Sequence, residues 1–198
     1  MGGDFYDAFD LPDGRVAVVI GDVQGHSLRA AAVMAEVRLT LRAYLREGHP
    51  AGRALDLLND ALRQDHAEFV TVCVCVLDPA TGALEVTDAG HLPALVVRAD
   101  GAVDEVKTGS RLLGVPSPGT RHAHVDVLAP GDVLLLVTDG LVERRGASLR
   151  ASLDRLATAA AAAAGSPPAA VCDLLVAAFD DAGREDDVAV VAVRRAAP

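Results

Sequence analysis

The sequence predicts an α+β fold, built as a central antiparallel β-sandwich flanked on both faces by pairs of helices in αββα layers. Strand and helix patterns fall into separate blocks instead of alternating. Short apolar strand patterns recur from Phe69 to Thr138, and turn formers such as Asp78-Pro79-Ala80-Thr81-Gly82, Asp100-Gly101 and Pro130-Gly131-Asp132 separate them, as in an antiparallel sandwich. Two helical patterns precede this centre and two follow it, one pair for each outer face.

Composition suits one such domain over residues 1–198. Hydrophobic residues make up 51% of the chain against 23% charged, enough for a sizeable core. Aromatics are only 3%, with no Trp, so Val, Leu and Ala must build that core. The net charge of −10 repels phosphate backbones and argues against nucleic-acid binding. Cys73 and Cys75 lie on one face of a strand pattern, cannot easily bridge at that spacing, and lack a second pair to complete a zinc site. With Cys172 they read as reduced core residues of a cytoplasmic protein. No stretch reaches the roughly 18 consecutive apolar residues of a membrane helix, and no basic-then-apolar signal peptide is present. Gly2-Gly3-Asp4 opens a strand pattern with no lead-in, as a fragment of a longer chain would.

Residues 4–11 and 15–22 flank Pro12-Asp13-Gly14, a three-residue hairpin turn with Gly14 suited to its left-handed position. If Leu11 faces Arg15, paired residues sum to 26 and Asp4 stands opposite Asp22. Like charges so placed, with Cβ atoms ~5 Å apart, are destabilising without a cation between them. Ser27 to Glu47 reads as a long helix with Val33, Val37, Leu41 and Leu45 on one face, ended by Gly48. Pro50 opens a second helix to about Gln64, with Leu55, Leu58 and Leu62 as its apolar stripe.

Strand patterns follow at Phe69–Leu77, Ala83–Thr87, Leu95–Arg98, Val103–Val106, Val125–Leu128 and Val133–Thr138. The breakers Gly109, Gly114, Pro116 and Pro118 mark 107–121 as an ordered surface loop. Helices return at Leu149–Ala164, whose end is six consecutive alanines, and at Pro167–Asp180. Val188–Val193 is a last strand.

Carboxylates stand at four strand ends: Asp4, Asp22, Asp139 after the apolar run Val133 to Val137, and Asp186 with Asp187 before the last strand. An unpaired charge is costly there unless a cation or donors meet it. Hard oxygen ligands suit Mg²⁺ or Mn²⁺, where zinc would prefer His or Cys. Two such ions can hold a bridging water as nucleophile and neutralise a phosphoryl group, which points to metal-assisted phosphate hydrolysis.

Gly2-Gly3-Asp4-Phe5-Tyr6-Asp7, Gly21-Asp22-Val23-Gln24-Gly25-His26, Asp88-Ala89-Gly90-His91, Ala129-Pro130-Gly131-Asp132, Thr138-Asp139-Gly140 and Asp186-Asp187 form an ordered series. In order and spacing it resembles the SpoIIE-like branch of the metal-dependent (PPM, type 2C-like) serine/threonine phosphatases. The resemblance implies that Asp4, Asp22, Asp139 and Asp186 hold two Mn²⁺ or Mg²⁺ ions, with the Val23 carbonyl completing one site and Asp22 bridging. Asp22 and Asp139 would then serve catalysis through metal-bound water. It also implies removal of phosphate from phosphoserine or phosphothreonine on an anti-anti-sigma (STAS-domain) protein in a partner-switching pathway. An upstream sensor domain on the parent chain would supply the input.

The chain departs from that pattern in places. Gln24 occupies the neighbourhood where eukaryotic relatives place a histidine proton donor, and His26 or His91 would be the alternatives. His26 reads better as part of a helix start, and His91 as the fixing point of a turn or hydrogen bond. Arg144 and Arg145, in a short basic stretch after Asp139, would either meet phosphate or be solvated. Relatives also carry a strand before the Gly-Gly-Asp motif. Its absence would leave an open sheet edge and allow a homodimer. Two other readings compete with the active phosphatase: a catalytically weak or inactive phosphatase-like binding module, and a metal-dependent phosphodiesterase.

Overall fold

The computed structural model describes residues 3–25, 27–117, 119–143, 146–180 and 187–196. In chain order the elements are β1 (Phe5–Asp10), β2 (Val16–Val23), α1 (Leu28–Arg46), α2 (Ala51–Asp65), β3 (Val70–Leu77), β4 (Ala83–Ala89) and β5 (Ala94–Val97). There follow β6 (Val103–Val106), β7 (His124–Val127), β8 (Val133–Val137), α3 (Asp139–Val142), α4 (Leu149–Ala162), α5 (Pro168–Ala178) and β9 (Val190–Arg194). The chain divides into two compact units, Met1–His91 with Lys107–Val127, and Leu92–Val106 with Leu128–Pro198. Each combines one antiparallel sheet with one pair of longer helices, so the α+β class and its two helix pairs stand as the sequence predicts.

In the first unit the sheet order is β1-β2-β3-β4-β7. The β1–β2 hairpin has the predicted register, from Phe5 opposite Gly21 to Asp10 opposite Val16. Leu11 N–H donates to the Arg15 carbonyl at 2.8 Å across the turn. Helices α1 and α2 lay Val33, Val37, Leu41, Leu55, Leu58 and Leu62 against Phe5, Phe9, Val19 and Val74 in one buried cluster. Each such side chain contributes about 1.5–3 kcal/mol on burial. Ser27 caps α1 by accepting the Ala30 N–H at 3.2 Å.

Edge strand β1 is tied down by charge as well as by packing. Asp7, buried at 9% exposure, takes Arg42 Nη2 at 3.1 Å and lies 3.9 Å from Arg38 Nη1, both on α1. The Asp7 carboxylate also accepts the Ala8 N–H at 3.0 Å, and the Asp10 carbonyl accepts from Arg46 Nε at 3.4 Å. Side chains thus occupy part of the edge that a foreign strand would pair with.

The 107–121 segment is held by buried polar groups. Asp88, 1% exposed, accepts from Thr108 N–H at 2.5 Å, Thr108 Oγ1 at 2.7 Å, Gly109 N–H at 3.1 Å and Gly90 N–H at 3.2 Å. Asn59 of α2 accepts the Gly114 N–H at 2.8 Å and donates to the Val115 carbonyl at 3.1 Å. Buried Arg121 donates to Asp56 at 2.5 Å and to the Arg111 carbonyl at 3.1 Å, and Leu113 forms an antiparallel bridge with Val70.

The second unit has the order β6-β5-β8-β9. Fully buried β8 lies between β5 and β9, and Leu95, Leu135 and Val137 share a cluster with Leu156, Val171, Leu175 and Phe179 of the helical segments. Asp132 caps its turn by accepting from Ala99 N–H and Ala129 N–H at 3.0 Å each and from Arg98 Nη1 at 3.1 Å. No described helix is long and apolar enough to cross a membrane. Boundaries shift slightly from the sequence reading, with β7 ending one residue earlier and β4 running on to Ala89.

Candidate metal centre

The opening carboxylates of the first unit converge because the hairpin register demands it. Phe5 pairs with Gly21 on one side, and Val23 N–H donates to the Gly3 carbonyl at 3.2 Å on the other, which sets Asp4 opposite Asp22. One carboxylate oxygen of each lies within 4.8 Å of the other, and both residues are half-buried. The backbone is fitted to this pair. A Cβ on Gly3 would overlap the Val23 carbonyl oxygen and lie 2.7 Å from Asp22 Oδ1, so only glycine admits the close approach. Three hard oxygen donors, from Asp4, Asp22 and the Val23 main chain, therefore crowd one strand end, a donor set that fits Mg²⁺ or Mn²⁺.

Neighbouring strands brace the site. Asp22 faces Thr71 and Val23 faces Val70 across β2–β3, and Gln24 N–H donates to the Phe69 carbonyl at 2.9 Å. The Gln24 side chain is exposed. His91, 3% exposed, places Nδ1 2.9 Å from Thr71 Oγ1. This imidazole makes a hydrogen bond, the role its position in the Asp-Ala-Gly-His turn suggests.

In the second unit Asp139 opens the short helix α3 directly after β8. Thr138, just before it, is fully buried and exchanges two hydrogen bonds with Ala189, N–H to carbonyl at 3.1 Å and Ala189 N–H to Oγ1 at 2.8 Å. Asp187 is exposed just ahead of β9. Asp186, His26, Arg144 and Arg145 lie outside the described residues. Sequence reasoning did not single out Thr71, which is an ordinary strand residue until the β2–β3 register is known.

The α+β fold is that of PP2C-type phosphatase domains, with two carboxylates paired at one strand end. The chain belongs to the SpoIIE family: the model described as Stage II sporulation protein E matches residues 12–196. A crystal structure of the RsbU and RsbW domains of Rv1364c from Mycobacterium tuberculosis is 38% identical with a TM-score of 0.90, over 100% of this chain and 56% of that one. The PP2C phosphatase domain of SpoIIE from Bacillus subtilis, solved with a fragment of its regulatory domain, is 23% identical with a TM-score of 0.78, over 97% and 58%. Protein IcfG from Synechocystis sp. is 28% identical over 174 residues, 73% of this chain and 27% of IcfG. The chain thus spans about a quarter of IcfG and little more than half of the Mycobacterium structure.

Proposed function

We propose that this domain hydrolyses phosphoserine or phosphothreonine on an anti-anti-sigma (STAS-domain) protein, as part of a cytoplasmic partner-switching pathway. The single observation that carries the hydrolytic reading is the convergence of Asp4, Asp22 and the Val23 carbonyl at one strand end, beside a glycine that no other residue could replace without overlap. Likeness to a protein carrying RsbU and RsbW domains together supports partner switching. On this reading 1–198 forms one phosphatase domain. Asp4, Asp22, Val23, Asp139 and Asp186 would hold two divalent cations, Mn²⁺ or Mg²⁺, and Asp22 would serve both. When bound, the ions supply a water made nucleophilic at neutral pH and neutralise the phosphoryl charge. The chain's own contribution is to fix the donors: the hairpin register sets Asp4 against Asp22, and the Gln24–Phe69 hydrogen bond fixes the turn after Val23.

The test is Mn²⁺-dependent hydrolysis of p-nitrophenyl phosphate and of a phosphoserine STAS protein, beside Asp139→Asn. Phosphate release by the wild type and its loss in the variant are expected. An inactive parent chain at millimolar Mn²⁺ would overturn the reading. The exposed Gln24, which cannot act as an acid, favours a second reading in which the domain binds its partner without turnover. That module would bind unphosphorylated partner and release no phosphate.

A further inference from the structure

The Asp-Ala-Gly-His turn is built with more care than a connection between strands requires. Asp88 is fully engaged by four donors, and Ala89 is completely buried. Gly90 takes φ 74 and forms a bridge with Val72, and a Cβ there would sit 2.7 Å from Leu112 Cβ. These restraints leave His91 one placement, with its buried imidazole against the Thr71 hydroxyl at 2.9 Å.

Thr71 in turn faces Asp22 across the ladder, and Asp22 faces Asp4. Directly opposed residues of antiparallel strands project to the same face, with Cβ atoms ~5 Å apart. The end of the sheet therefore carries a continuous row, from the residue before β1 through β2 and β3 to the turn after β4: Asp4, Asp22, Thr71, His91. Two carboxylates form one end. A hydroxyl held by an imidazole forms the other, on the flank of Asp22 away from Asp4.

We propose that His91 is a positioning residue for Asp22 and acts through the Thr71 hydroxyl. The imidazole selects the rotamer and proton direction of Thr71, and that hydroxyl restricts where the Asp22 carboxylate can swing. Partners that orient a metal-binding carboxylate typically change affinity by 10–100-fold when removed. The inference rests on Asp22 being a metal ligand, as in the function proposed above.

The test measures Mn²⁺ binding by calorimetry on the whole chain, with Mn²⁺ alone as the probe. Thr71→Val and His91→Ala are expected to weaken binding by about 10–100-fold. Thr71→Ser keeps the hydroxyl, and His91→Asn keeps a hydrogen-bonding group near Nδ1, so both should restore most of the affinity. The double variant Thr71→Val/His91→Ala should bind no more weakly than either single variant, because the two act as one unit. In the metal-free protein, Thr71→Val should also shift the His91 side-chain ¹⁵N signals, a readout independent of metal. Wild-type affinity in Thr71→Val, or losses that add in the double variant, would overturn the proposal while leaving the phosphatase reading standing. A wild type that binds Mn²⁺ yet releases no phosphate would overturn the phosphatase reading alone, and the affinity comparison would still decide the role of His91.

Discussion

Gly3 lies so close to the Val23 carbonyl that any side chain at position 3 would overlap that oxygen. The same two residues are joined by the Val23 N–H to Gly3 carbonyl hydrogen bond of 3.2 Å, so position 3 cannot move off without opening the hairpin. Gly3→Ala should cost about 1–3 kcal/mol through overpacking. It should weaken Mn²⁺ binding as well, because the displaced carbonyl is one of the proposed donors. Thermal melts with and without Mn²⁺ separate the two effects.

Metal binding should appear in stability before it appears in turnover. A ligand at 100 times its dissociation constant stabilises the folded state by about 2.7 kcal/mol. Adding Mn²⁺ should therefore raise the melting temperature and EDTA should reverse the rise. Asp22→Ala should melt at one temperature in both conditions. A Mn²⁺-induced rise that survives in Asp22→Ala would remove Asp22 from the ligand set.

The Arg121–Asp56 pair is the tie whose loss should damage the first unit most. Arg121 has a side-chain exposure of 2%, and Asp56 is its counter-charge at 2.5 Å. Removing one partner of a buried pair leaves an uncompensated charge and costs about 3–5 kcal/mol. Asp56→Ala should lose about that much in urea unfolding, and Asp56→Ala/Arg121→Met should recover part of it. Equal stability of Asp56→Ala and wild type would show that solvent reaches Arg121 freely.

These ties mark where the sequence was readable and where it was not. The β1–β2 register follows from Pro12-Asp13-Gly14, because a tight turn of known length fixes every pair behind it, including Asp4 with Asp22. The helix stripes are legible because periodicity is a local property, and Val33, Val37, Leu41 and Leu45 are all buried as their spacing implies. The clamps are different. Asp88 meets Thr108 twenty residues on, and Asn59 meets Gly114 at a separation of 55, and no local pattern announces such partners. Helix α3 escaped because four residues hold barely one turn, too few to show a period. At the candidate site the strand-end carboxylates were visible as charges beside apolar runs. Thr71 was hidden, since its role arises only from the strand it faces.

Cys73 and Cys75 face the same way on β3, with sulfurs 3.9 Å apart. The hydrogen bond with Cys75 and complete burial both push the Cys73 thiol well above its ordinary range. Cys172 is raised too, chiefly by burial. Thiols with raised pKa values stay protonated and unreactive at neutral and mildly alkaline pH. Iodoacetamide at pH 8 should leave Cys73 unmodified in the folded protein and label it readily in urea, as read by mass spectrometry. Rapid labelling of native Cys73 would contradict its burial.

Strand β8 has β5 on one side and β9 on the other, and the residues of β9 are joined to the chain more than fifty positions after β8 begins. During synthesis, Val133-Leu134-Leu135-Leu136-Val137 leaves the ribosome with half of its backbone partners still unmade. At 5–20 residues per second, that interval lasts some seconds. An apolar strand with a bare edge is a template for unwanted pairing. The helical stretches synthesised in between, α4 and α5, bury Leu156 and Leu175 in the same cluster as Leu135. Both helices are complete before β9 is made, so one face of β8 has its apolar cover available earlier than its last backbone partner.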